Sequence, residues 1–166
     1  MSTTQPLLAD AYVAHLGEPY WFGGNLFEFL VPSDTTDGRI SVFRCTAPAG
    51  FGPPRHVHTR EDEVFQVLDG EVAFEVDGRR LLAGPGTTVW MPRGVPHGFR
   101  VQSPMATMLG IITPGDYEHL FRTLGEPAQA RALPPAGAEL DVAALLAEMA
   151  ARGTQVVGPP IGAEGR

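Results

Sequence analysis

The sequence predicts an all-β barrel followed by C-terminal helices, and three observations carry that reading. Glycine and proline together supply 36 of 166 residues, roughly twice ordinary usage, which suits many short strands joined by tight turns. From residue 26 onward, apolar and polar residues alternate in short runs broken by turn residues, the period of half-buried strands. After residue 113 the apolar spacing lengthens to that of amphipathic helices.

The elements follow in order. Residues 1–18 have no clean period and are expected to form an arm ahead of a single domain spanning 19–166. Tyr20, Trp21 and Phe22 form an aromatic cluster that either lids a pocket or, the preferred reading, is buried in a dimer contact. Strands are expected at 26–31, 39–47, 54–59, 62–69, 71–77, 79–82, 87–91, 97–102 and 105–112, meandering antiparallel. Turn chemistry marks the joints at 33–38, Asp69-Gly70, Asp77-Gly78 and Gly84-Pro85-Gly86. A helical extension begins at about 114, with Thr113 as N-cap, Pro114 at the first helical position, and Tyr117, Leu120, Phe121 and Leu124 at helical spacing before Gly125. A Pro/Ala-rich connector covers 126–138. A second helix at 141–152 carries Val142, Leu145, Leu146 and Met149 on one stripe and ends at Gly153. Both helices are expected to bury their apolar faces against the sheet.

Composition removes whole classes of chemistry. All twelve basic residues are arginine, so lysine Schiff-base and Walker A mechanisms are excluded. The single cysteine, Cys45, can form neither an intramolecular disulfide nor a multi-thiolate zinc site and reads as a small core residue. None of the four serines lies in a G-x-S-x-G elbow. A net charge of -7 repels nucleic acid and anionic membranes. With no apolar run long enough to span a bilayer and no signal-like N-terminus, the expectation is a cytoplasmic protein.

Three of the five histidines stand in glycine- and proline-framed segments. His56 and His58 share one strand face by parity, and Glu63 opens the next strand and returns across from them. In the second segment Gly86, Pro92 and Gly94 precede His97, which begins a strand continuing with Phe99 and Val101. An H-x-H pair alone is also what a polar strand face looks like. Three imidazoles and a carboxylate together suit one divalent first-row ion, Fe, Mn, Co, Ni, Cu or Zn, and leave coordination positions open for substrate. Glu61 and Asp62 read as solvated loop acids. Phe65 and Val67 share the parity of Glu63, and Phe99 that of His97, which makes them candidate pocket residues as well as ordinary barrel filling. The parity of Arg44 and Arg100 stays open, and with it any role in binding an anion.

The two segments, GFGPPRHVHTREDEVFQVLDG and GTTVWMPRGVPHGFRV, resemble the paired signature motifs of the cupin superfamily. The resemblance implies one small double-stranded β-helix, or jelly-roll, barrel that commonly pairs into a homodimer. Val101 stands where the second motif usually has Asn, a position that is not a metal ligand in the family. TPGDYEHLFRTLGEPA after the barrel and the closing VVGPP are similar to the tails of bacterial single-cupin proteins of the quercetin dioxygenase type. That likeness implies that His56, His58, Glu63 and His97 bind the metal and that Glu63 also accepts the substrate's hydroxyl proton. It further implies dioxygenase action with O2 on a flavonol or similar aromatic enol, with loss of carbon monoxide. Two alternatives use the same residues: a non-oxidative isomerase or lyase, and a metal-holding small-molecule binding protein without turnover.

Overall fold

Alternation along the strands decides which side chains meet in the interior. In the computed structural model, which describes residues 17–136 and 140–162, twelve strands and two helices follow one another. The strands are β1 (Glu18–Phe22), β2 (Asn25–Val31), β3 (Ser41–Pro48), β4 (Pro54–His58), β5 (Asp62–Asp69), β6 (Val72–Val76), β7 (Arg79–Ala83), β8 (Thr88–Met91), β9 (His97–Val101) and β10 (Met105–Thr113). Helix α1 (His119–Leu124), the short β11 (Glu126–Pro127), α2 (Val142–Ala151) and β12 (Thr154–Pro160) complete the chain. Among the described residues no helix is long and apolar enough to cross a membrane.

The strands form two antiparallel sheets, ordered β11-β1-β2-β3-β10-β5-β8 and β12-β4-β9-β6-β7. Phe65 of the first sheet meets Phe74 and Phe99 of the second with ring centroids 6.3 and 5.4 Å apart, so the sheets face each other across one aromatic core. This is the expected all-β jelly-roll barrel. The expected meander is corrected: only β1-β2, β2-β3 and β6-β7 are sequential neighbours, while links such as that from β4 to β5 pass from one sheet to the other. Periodicity reports which side of a strand is buried and carries no information about its partner.

At the centre, β10 pairs with both β3 and β5, and Gly110 lies between Phe43 and Phe65. A Cβ there would strike the Phe43 ring, so the glycine makes room for two bulky residues on adjacent strands. Cys45 is buried in the same core as expected, and burial pushes its thiol far up from its ordinary pKa, leaving it unreactive.

Several boundaries and assignments differ from the expectation. The Tyr20, Trp21 and Phe22 cluster belongs to β1, a strand that begins before residue 26, where the first was expected. Phe22 is buried, Tyr20 packs edge-on against Phe29, and Trp21 Nε1 donates to the Ala132 carbonyl at 2.8 Å. Residues 1–16 of the expected arm, including His15, and 137–139 of the connector lie outside the described residues. Thr113 is not a helix cap: it ends β10 paired with Asp62, and its hydroxyl donates to the Arg39 carbonyl. The helix therefore begins only at His119, after Glu118 has accepted hydrogen bonds from the Ser33 and Asp116 amides at 2.6 and 3.0 Å. Helix α2 matches its expected span, and Asp141 caps it by accepting from the Ala144 amide at 2.9 Å. Its stripe is only half used, because Met149 is buried while Val142 and Leu146 are exposed.

Arg44 and Arg100 serve the fold. Arg100 donates to the Ile161 carbonyl, and Arg44 with Arg131 holds the buried Glu28 at 2.7 and 2.6 Å. Burial pushes the Glu28 carboxyl up, but the two guanidiniums outweigh it and hold the group below the usual carboxylate range. A depressed folded pKa contributes stability that is fully present above the unfolded value of about 4.3 and is lost as pH falls through the folded value. Glu28→Gln is therefore expected to flatten the acid limb of stability below about pH 4.3, measured by urea unfolding across pH. An unchanged acid limb would remove Glu28 as its source.

Candidate metal centre

Both sheets contribute to one group of donors. Strands β4 and β9 of the five-stranded sheet pair at His56 and His97, with His58 two residues along the same face of β4. Glu63 comes from β5 of the facing sheet, which the short link Thr59-Arg60-Glu61 joins to β4. One donor atom from each of His56, His58, Glu63 and His97 lies within 4.8 Å of the others, and all four residues are buried. The structure thus brings together the whole set read from the sequence.

Outer hydrogen bonds orient the rings. His56 Nδ1 lies 2.7 Å from the Pro54 carbonyl and His97 Nδ1 lies 2.8 Å from the Val95 carbonyl. A carbonyl only accepts, so each Nδ1 carries the proton and each Nε2 turns a lone pair inward. His58 Nδ1 is 3.2 Å from Thr154 Oγ1, whose hydroxyl donates onward to the Tyr117 oxygen at 3.2 Å.

The inner atoms are then short of a partner. His97 Nε2 is buried without a hydrogen bond, and it faces Glu63 Oε2 at 3.4 Å, with His58 Nε2 at 3.9 Å from the same oxygen. Imidazole lone pairs and a carboxylate are all acceptors and cannot satisfy one another; a cation among them can. The donor set fits a divalent first-row ion, with nitrogen and oxygen ligands and no thiolate.

In the metal-free chain a proton on His97 competes with a cation for the same position. Burial pushes the His97 ring down, but Glu63 beside it outweighs that and holds the ring above its ordinary value. The same contact, with the charges of His58 and His56, keeps Glu63 below the carboxylate range despite complete burial. Burial and the two neighbouring imidazoles push His56 down to about 3, so its lone pair is free over the physiological range.

Sequence reasoning missed three supporting residues. Glu61, expected to be a solvated acid, is only 7% exposed, and its Oε2 lies 3.5 Å from His58 Nδ1 without a hydrogen bond of its own. Thr59 and Arg60 of the link are exposed, and Glu61 alone turns inward toward His58. Thr154 and Tyr117 arrive from β12 and from the turn before α1, far away in the chain, and no local pattern marks them. Asp62 does behave as a surface acid, clamped by Arg93 at 2.9 Å. His119 is half-buried and stands apart from the centre, 3.4 Å from both Asp34 and Asp116.

A carboxylate on the far nitrogen of a ligating imidazole fixes its orientation and basicity. Glu61→Gln is expected to weaken metal affinity by ~10-fold or more, read by competition with a chromogenic chelator. Wild-type affinity in that variant would leave Thr154 as the sole anchor of His58.

The donors open onto an apolar cavity of about 130 Å³. His56, His58 and Glu63 line it together with Phe65 and Phe99, whereas His97 does not reach its wall. Val67, grouped with Phe65 by parity, is fully buried in the core and is not part of the lining. Tyr117, Leu120, Phe121, Leu145 and Met149 close the cavity from the C-terminal side. The helices thus roof the barrel mouth rather than lie flat on a sheet.

Residues 43–112, which include all four donors, match the Cupin domain family. The chain is 31% identical over 134 residues, 80% of its length, to quercetin 2,3-dioxygenase of Bacillus subtilis (strain 168), of which it spans 40%. It is 30% identical over 111 residues, 62% of its length, to quercetin 2,3-dioxygenase of Aspergillus japonicus, of which it spans 31%. The chain therefore spans less than half the length of these curated relatives. Among solved structures, one described as a predicted oxalate decarboxylase of Thermotoga maritima superposes with a TM-score of 0.56 at 18% identity. That match covers 62% of this chain and 98% of the other, and it bears on the fold alone.

Proposed function

On the likeness of this chain to cupins and to quercetin 2,3-dioxygenases, we propose that it is a metal-dependent dioxygenase acting with O2 on a flavonol or similar aromatic enol. One observation carries the reading: three imidazoles, two of them with tautomers fixed by backbone carbonyls, and one carboxylate converge, buried, beside an apolar cavity. His56, His58, Glu63 and His97 would hold the ion. When bound, such an ion supplies positive charge that favours the ionised form of a substrate hydroxyl, together with redox access to dioxygen.

The chain's own residues do the rest. Glu63, the one acid in the cavity lining, stands where a substrate hydroxyl meets the donors and takes its proton. The enolate reacts with O2; carbon-carbon bonds of the ring break, both oxygen atoms enter the product, and the excised carbon leaves as carbon monoxide. Phe65 and Phe99 exclude water from the reacting face, and the outer bonds of Pro54, Val95 and Thr154 keep the imidazoles from turning.

The test is elemental analysis of the purified protein, then oxygen uptake under each candidate metal with a panel of aromatic enols running from flavonols to single-ring hydroxy-ketones. Oxygen consumption matched by carbon monoxide release is the expected result. Turnover that proceeds equally well without oxygen would overturn the reading in favour of isomerase or lyase chemistry through the same carboxylate.

A further inference from the structure

Resting on the dioxygenase reading, the size and polarity of the cavity narrow the substrate. At about 130 Å³ the space is close to the ~150 Å³ apolar cavity that holds benzene and well below the ~300 Å³ at which drug-sized pockets begin. Three metal donors on its wall lie within one cluster, the Tyr117 ring packs edge-on to His58 at 4.4 Å, and burial keeps the Cys45 thiol on the wall neutral. Among the described residues, no arginine, no aspartate and no glutamate besides Glu63 reaches the wall. A ligand therefore needs one oxygen-bearing end and an uncharged, compact remainder.

The roof is tied down, which makes the small size a property of the fold. Phe121 of α1 stacks on Phe27 of β2 with centroids 4.3 Å apart. The connector beyond α1 is held by the bond from Trp21 to Ala132, and β11 pairs with β1. Leu140 and Leu145 complete the roof; both are half-buried and pack against the edge of the core.

We propose that the substrate is a single-ring enol or phenol, and that the roof, through Leu140 and Leu145, excludes the fused rings and pendant aryl group of a flavonol. Maltol and 3-hydroxyflavone test this, because both carry the same hydroxy-ketone unit, one on a single ring and the other on a flavonol skeleton. Calorimetry on the metal-loaded full chain without oxygen is expected to give maltol an affinity at least ~10-fold higher. In the double variant Leu140→Ala, Leu145→Ala, 3-hydroxyflavone affinity is expected to rise at least ~10-fold while maltol changes little.

Equal or tighter binding of 3-hydroxyflavone to the unaltered protein would overturn the proposal, as would an unchanged ratio in the variant or no binding of either probe. If the variant does not fold, judged by circular dichroism, the ratio on the unaltered protein decides alone. Oxygen uptake separates this proposal from the reading beneath it. Tight maltol binding with no oxygen consumed on any substrate sustains the size limit and overturns the dioxygenase. Oxygen uptake with 3-hydroxyflavone and none with maltol does the reverse.

Discussion

Glu63→Gln is expected to lower turnover by ~10²-fold or more, the size of losing a positioned base, while metal occupancy stays near that of the unaltered protein. Glutamine is nearly isosteric and keeps a carbonyl oxygen that can approach the ion, but it has neither the negative charge nor the basicity to take a substrate proton. Glu63 is fully buried between His58 and His97, 3.9 and 3.4 Å away, so the change is felt at the centre and little elsewhere. Elemental analysis and steady-state rates on the same preparation check it. Full activity on every accepted substrate would leave Glu63 a ligand only; loss of the metal in step with the rate would remove the separate role as base.

Removing residues 154–166 is expected to abolish both cooperative unfolding and metal retention. Strand β12 forms an edge of the five-stranded sheet and pairs Thr154 with His58, Gln155 with Val57 and Val156 with His56, so the strand bearing the H-x-H pair loses its neighbour. The cut opens the edge of β4 to water and also removes the buried Thr154 and Ile161, and with them part of the small domain's marginal stability. The same cut frees His58 Nδ1 from Thr154. Thr154→Val isolates that second effect: it keeps the strand and is expected to cost ~10-fold in metal affinity. A truncated chain that melts cooperatively and retains metal would show that β12 is accessory.

The sequence by itself marked the four candidate donors and determined the class of fold. His56, His58, Glu63 and His97 are legible because strand parity and framing glycines are local properties, and the structure gathers those four residues into one buried group. Helix α2 is equally legible, since its cap, apolar spacing and terminal Gly153 lie within a dozen residues. Alternation also marked the buried faces of β3, β5 and β10.

Only the tertiary structure decided how these pieces face one another. Glu61 and Asp62 are adjacent acids, yet one is buried against His58 and the other is clamped by a surface arginine, because the link between two sheets passes between their environments. Phe65 and Val67 share a parity, yet only Phe65 reaches the cavity, whose extent depends on the facing sheet and the helical roof. Thr154 and Tyr117 meet His58 from residues 96 and 59 positions away by number, a distance no local period spans. Periodicity encodes the burial of a face; the partner of that face, and the volume left between partners, are set by long-range packing.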